Sequence, residues 1–192
     1  MSCYNLSEIP NFTDLFTENN EINNIFYNVK KYSTKSNQEY KIISYNKNNI
    51  SSDLFNTYGL LRSVIMNSQN KVLCFSPPKS ISAELFFNLY PNKTDSIIAE
   101  EFVEGTMINV FFDKNIGENG SWQISTRNTV GADVSYYKNI NSKTFEAMFF
   151  EACQECNLFI QLLNPYFCYS FVLQHPNNRI VVPFKTPQLY LV

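Results

Sequence analysis

Apolar residues recur along this chain with two different periods, and the period decides which element each segment predicts. In "IPNFTDLFTENNEINNIFYNVKKY" the residues Ile9, Phe12, Leu15, Phe16, Ile22, Ile25, Phe26 and Val29 fall at helix-like spacings, so one or two short helices are expected first. "QEYKIISYN" then alternates apolar with polar, the mark of a half-buried strand. "GLLRSVIMN" and "KVLCFSPP" predict two further strands joined by the polar turn "SQN", and Pro77 and Pro78 end that ladder because neither can donate a hydrogen bond. "SAELFFNLYP" predicts one or two helical turns before Pro91.

"SIIAEEFVEG" and "TMINVFFD" predict strands, followed by the turn-rich loop "KNIGENG" and another strand in "SWQISTRN". A helix is expected from Ser142 to Leu163, stopping before Asn164 and Pro165. "FCYSFVLQHP", "RIVVPF" and "QLYLV" complete the pattern as strands. Hairpin-connected strands with few, segregated helices predict an α+β fold built on antiparallel sheets. No internal repeat or linker interrupts residues 1–192, which are expected to form a single domain: a helical N-terminal part and first strand over 1–50, and the main body over 55–192.

Composition adds the means to fill a core. The chain is 44% apolar, with 17 Phe and 12 Tyr, whereas charged residues reach only 17%, below the roughly 25% of average chains. Polar surface is therefore carried by Asn, Ser and Thr, and so aromatic a chain is expected to bury some surface against a partner. The formal charge of −2 advertises no basic footprint for nucleic acid, although it leaves room for a local patch. The start "MSCYNLSEIPNF" lacks the basic and apolar regions of a signal peptide, and no apolar run reaches about 18 residues. Together with an odd number of cysteines, five, this predicts an intracellular, reduced protein with no membrane partner. The abundance of residues with AT-rich codons fits an AT-rich genome such as that of a large DNA virus, with a virion as the further possible location.

Two features invite a metal or catalytic reading and do not sustain it. Cys153 and Cys156 form a C-x-x-C, but a zinc site needs a second ligand pair and His175 is the sole histidine. Both thiols are expected on one face of the helix as small core residues, with no structural zinc. His175, in "LQHPNNR", lies at a turn after a strand and is expected to be structural or superficial rather than a general base.

The stretch "EEFVEGTMINVFFD" carries the functional question. Taken with its neighbours, it gives the chain a resemblance to the adenylyltransferase domain of phage-type RNA ligases, within the covalent nucleotidyltransferase superfamily. "YGLLRSVIMNSQNKVLCFSPPKSISAELFFNLYP" resembles the family's opening strand pair, with Arg62 before it and Lys79 ahead of "LFFNLY". "EEFVEGTMI" resembles the K-x-D/N-G signature, "WQISTRNTVGA" the later strand that carries a basic residue, here Arg127, and "CYSFVLQHPNNRIVV" the F-E-F-V-x-P-x-N-R-I-V strand. The likeness covers about residues 55 to 192 in motif order and implies an α+β, ATP-grasp-like ligase domain.

Departures from the family pattern govern what the resemblance implies for activity. The family's motif lysine attacks the α-phosphate of ATP and becomes a lysyl-AMP, which requires an unprotonated amine. Phe102 stands at that position and has no lone pair to offer. Val172 replaces the glutamate of the F-E-F-V strand, and the resemblance puts the last family motif beyond Val192. The expectation is a non-catalytic RNA-ligase-like module with no catalytic residue, no metal and no cofactor of its own, whose partner is a protein subunit or RNA. Residual nucleotide or phosphate binding is assigned to Arg62, Lys79, Phe102, Glu104 and Arg127. Each also has a plain alternative: strand or loop cations for Arg62, Lys79 and Arg127, a strand end before the turn at Gly105 for Glu104, and a pocket-filling aromatic for Phe102. Two other readings stay open: an active ATP-dependent RNA ligase or nucleotidyltransferase using a divalent metal and a displaced lysine, Lys79 or Lys114, and an unrelated α+β interaction protein.

Overall fold

The computed structural model describes residues 5–16, 24–92, 97–137, 142–179 and 181–192. Among these residues eight strands form two four-stranded antiparallel sheets. The first contains β1 (Tyr27–Ser33), β2 (Glu39–Tyr45), β3 (Val64–Asn67) and β4 (Val72–Phe75) in sequence order. The second runs β6-β5-β7-β8, with β5 (Thr106–Asp113) and β7 (Tyr169–Gln174) between β6 (Ser121–Ser125) and β8 (Gln188–Leu191). The α-helices among the described residues are α1 (Ala83–Leu89) and α2 (Phe145–Glu155). The fold is α+β, as the strand pattern predicts.

Strand alternation assigns each face. Along β5, Ile108 and Val110 point into a core shared with α2, while Asn109, Phe111 and Asp113 take the opposite face, with Phe111 meeting the first sheet. Along β2, Tyr40 and Ile42 meet Phe111 between the sheets, whereas Ile43 and Tyr45 face outward under 3₁₀ turns at Leu6–Glu8 and Phe12–Phe16. The layers are thus N-terminal turns, first sheet, second sheet and α2. Helix α2 buries Phe145, Met148, Phe149, Ala152 and Cys153, the i, i+3, i+4, i+7, i+8 stripe of a helix resting on a sheet. Thr144 caps it by accepting the Ala147 N–H at 3.2 Å.

Two polar links are buried between the sheets. Asn109 donates through Nδ2 to Ser76 Oγ at 2.8 Å and accepts from Ser170 Oγ at 2.8 Å, linking the end of β4 to β5 and β7. Tyr40 donates to Asp113 Oδ2 at 2.9 Å; burial and this acidic neighbour push its phenol pKa well up. Cys74 lies in the same layer, raised by burial, beside Cys168, whose thiol is lowered to about 7 chiefly by a hydrogen bond from Cys74.

Several predicted elements are revised. The helix-like spacing of the first thirty residues resolves into 3₁₀ turns and then β1, with Ile22 outside the described residues. Pairing of Tyr27–Ser33 with Tyr45–Glu39 outweighs a periodicity that short apolar runs carry ambiguously. In "GLLRSVIMN" the strand starts only at Val64, after a 3₁₀ turn at Tyr58–Leu60. Residues 97–105 and 181–184 join no ladder, and Ile180 lies outside the described residues. The long helix is shorter than expected: α2 ends at Glu155 because Asn157 takes a left-handed conformation (φ 52°) and Leu158 N–H donates back to the Cys153 carbonyl at 2.8 Å. Cys156 therefore sits exposed at the C-cap, and of this pair Cys153 alone is a core thiol.

His175 is 2% exposed and structural. Its Nδ1 accepts the Asn177 N–H at 3.1 Å, which makes Nε2 the protonated nitrogen facing Glu151 Oε2 at 3.0 Å. Glu151 also takes two hydrogen bonds from Lys143 at 2.8 Å, and Lys143 first, then His175, holds its pKa below the ordinary carboxylate value. A carboxylate depressed in the folded state stabilises above its unfolded pKa and loses that contribution as pH falls through the folded one. Glu151→Gln is expected to melt slightly below wild type at pH 7, by about 0.5 kcal/mol or less because the pair is solvent-screened. The gap in melting temperature should close as pH falls below about 4. A gap independent of pH would show that the Lys143–Glu151 charge pair contributes nothing.

Candidate functional site

At one end of the two sheets the chain leaves an open cleft of about 430 Å³. Its walls come from the residues just before β3, just after β4, at the start of β5 and just after β6. Arg62 and Arg127 both line it, with the hydroxyl groups of Ser76, Thr106, Thr126, Thr129 and Ser135 and the ring of Tyr136 around them. The two arginines are brought together by backbone chemistry. Ser63, next to Arg62, donates its hydroxyl to the Arg127 carbonyl at 3.0 Å, and Ser63 O accepts the Ser76 N–H at 3.1 Å. Arg127 rides on a tight turn closed by Thr126 N–H to Thr129 O at 2.9 Å.

Among the described residues no acidic side chain lines this cleft, and neither arginine has a carboxylate partner. The Arg127 guanidinium lies 5.3 Å from the centre of the Tyr45 ring, which orients it, while its Nε is buried with no hydrogen-bond partner. A buried donor left unpaired costs about 1–3 kcal/mol. Two half-buried arginines line one opening, and the fork of donors on a guanidinium group matches the oxygens of a phosphate or carboxylate.

The other three residues singled out from the sequence lie apart. Phe102 and Glu104 line a smaller recess of about 170 Å³ with Gly105, Asn178 and Phe184. Thr106 is the step between the two spaces: it lines the arginine cleft and accepts from Asn178 Nδ2 at 2.7 Å. Phe102 is 94% exposed, so the alternative reading of it as a pocket-filling aromatic is overturned. A lysine there meets solvent. Glu104 is half-buried, and its backbone carbonyl accepts from Gln174 Nε2 at 2.8 Å. Lys79 does not line the cleft: its N–H donates to Gly59 O at 3.0 Å and its ammonium sits 4.4 Å over the Phe55 ring. Lys114 lies at the opposite end of β5.

Sequence reasoning missed the hydroxyl lining and Tyr136. Thr106 carried a signal, since it follows the motif glycine directly, whereas Tyr136 lies in a segment with no periodicity to place it. Among the described residues no group of three His, Cys, Asp or Glu side chains is arranged to hold a metal ion, and no helix is long and apolar enough to cross a membrane.

An α+β two-sheet scaffold with an arginine-lined cleft at one end of its strands is thus the class the structure defines. No protein-family model matches the chain. It is similar to an RNA ligase of Rhodothermus phage RM378, with 28% identity over 99 residues, 48% of this chain and 21% of that relative. The chain thus matches about a fifth of the length of this curated relative.

Proposed function

We propose that the chain is a non-catalytic RNA-ligase-like binding module whose Arg62 and Arg127 hold a phosphate group of a nucleotide or of RNA. The observation that carries this reading is a pair of arginines without carboxylate partners in a cleft that, among the described residues, no lysine lines. Nucleotidyl transfer through a lysyl adduct needs an amine beside the α-phosphate. Phe102 stands at the motif lysine position with its ring in solvent, Val172 replaces the motif glutamate, and neither Lys79 nor Lys114 reaches the cleft lining. An arginine remains protonated at any working pH and serves as a clamp rather than a nucleophile. Hydroxyl groups around the pair supply further donors and acceptors for phosphate or ribose oxygens, and Tyr136, 56% exposed, offers a face for a base.

Two measurements on one sample test the proposal. Incubation with α-labelled ATP or GTP and a divalent metal should leave no label on the protein after denaturation. Equilibrium dialysis with the same nucleotides and with a 5′-phosphorylated oligoribonucleotide should show reversible binding. A denaturation-resistant adduct mapping to Lys79 or Lys114 would establish an active nucleotidyltransferase instead. Absence of both adduct and reversible binding would remove the binding role and leave a scaffold that meets protein partners.

A further inference from the structure

We infer that the end of the sandwich opposite the arginine cleft holds a second, separate site for a single nucleotide unit. Here the β3–β4 turn, the end of β5 and the segment before β7 enclose a pocket of about 280 Å³. That falls just below the roughly 300–1,000 Å³ of drug-sized ligand sites, which limits the guest to one nucleotide unit. Asn67 lines it while only 3% exposed, and its Nδ2 has no hydrogen-bond partner. The amide is fixed in place, because Oδ1 accepts the backbone N–H groups of Gln69 at 3.1 Å and Lys71 at 2.9 Å. A buried, immobilised donor with no protein partner in the lining of a pocket leaves one hydrogen bond that a ligand seated there can complete.

The rim supplies charge and stacking. Lys71 and Lys114 both line the pocket, and Lys114 Nζ sits 4.8 Å from the centre of the Tyr166 ring. Tyr166 is 78% exposed, so its ring is available to a planar group. The one acid among the described lining residues, Asp113, is 2% exposed and committed: Oδ2 accepts from Tyr40 and Oδ1 from the Asn115 N–H at 3.0 Å. Two ammonium groups against one sequestered carboxylate leave the pocket attractive to a phosphate, while Tyr166 stacks a base and Asn67 Nδ2 donates to an acceptor on that base or its sugar. The site is independent of the arginine cleft, sharing no residue with it.

The test is run in an Arg62→Ala/Arg127→Ala background, so that the cleft contributes nothing. Binding of AMP by calorimetry and of a fluorescent hexa-adenylate by anisotropy should persist there. Adding Lys71→Ala and Lys114→Ala, or Tyr166→Ala alone, should weaken both ligands at least tenfold with an unchanged melting temperature. Raising salt should weaken the hexamer progressively. Tighter binding of the hexamer than of AMP identifies a strand as the source of the nucleotide, and equal binding identifies the free nucleotide. The inference is overturned if the arginine background binds neither ligand, if the lysine and tyrosine variants bind as well as their parent, or if inorganic phosphate competes fully while adenosine does not compete at all.

Discussion

Gly105→Ala is expected to lower the melting temperature by on the order of 10 °C, although it adds a single methyl group at an exposed position. Gly105 has φ +153°, outside the range that L side chains adopt readily. A Cβ built there falls 2.5 Å from the Leu173 carbonyl oxygen and 2.7 Å from Val172 Cγ1. The oxygen belongs to backbone of β7, which is paired with β5 through Thr106 and Leu173, so it cannot step aside without opening the central ladder of the second sheet. Overpacking costs about 1–3 kcal/mol and a strained backbone a similar amount, giving a combined loss of about 2–6 kcal/mol. Thermal unfolding of the purified variant measures it directly. A variant melting within about 1 °C of wild type would show that the segment entering β5 is loosely held. The motif glycine thus has a packing reason to be glycine that survives without any reaction at the neighbouring Phe102.

Removing Arg62 and Arg127 together should move binding and stability in different directions. In a Lys71→Ala/Lys114→Ala background, so that the second pocket is silent, the double alanine variant is expected to lose at least 100-fold in affinity for a 5′-phosphorylated oligoribonucleotide. Hydrogen bonds to charged groups are each worth about 1.5–3 kcal/mol, so two clamps account for about 3–6 kcal/mol. Arg127→Lys should fall between, because an ammonium keeps the charge and loses the planar fork. Stability should hold or rise slightly in the alanine variant, since the unliganded protein carries a buried Nε without a partner. Isothermal titration and thermal melting on the same preparations separate these effects. Unchanged affinity would dissolve the arginine clamp, and a large fall in melting temperature would recast the pair as structural.

How far the amino-acid pattern foretold this molecule depends on whether each signal is local. Strands β2, β4, β5, β6, β7 and β8 were legible because alternation or a short apolar run was bounded by turn residues on both sides. β1 was not, since its apolar spacing fits a helix as well and only pairing with β2 settles the matter. The segments 97–105 and 181–184 are apolar enough for strands, yet neither finds a neighbouring edge. Asn157 was a readable helix stop that the apolar run to Leu163 concealed. For the site, motif order drew attention to Arg62 and Arg127, which the fold does bring together. It also nominated Lys79, which the fold turns onto Phe55. What no sequence spacing discloses is which cations lack counter-charges, because that depends on contacts between residues more than sixty positions apart.

The buried link running from Ser76 through Asn109 to Ser170 has a consequence for how ligands must enter. Its three side chains come from the end of β4, from β5 and from β7, all three are buried, and each hydrogen bond closes at 2.8 Å. The Ser170 bond lies within the second sheet, so sliding or hinging one sheet across the other would break the Ser76–Asn109 bond and leave the amide nitrogen without its partner. The spacing between the sheets is therefore pinned close to the arginine cleft, whose wall Ser76 forms. A guest meets an aperture of set width rather than a pair of jaws, and selectivity rests on whether its shape already fits.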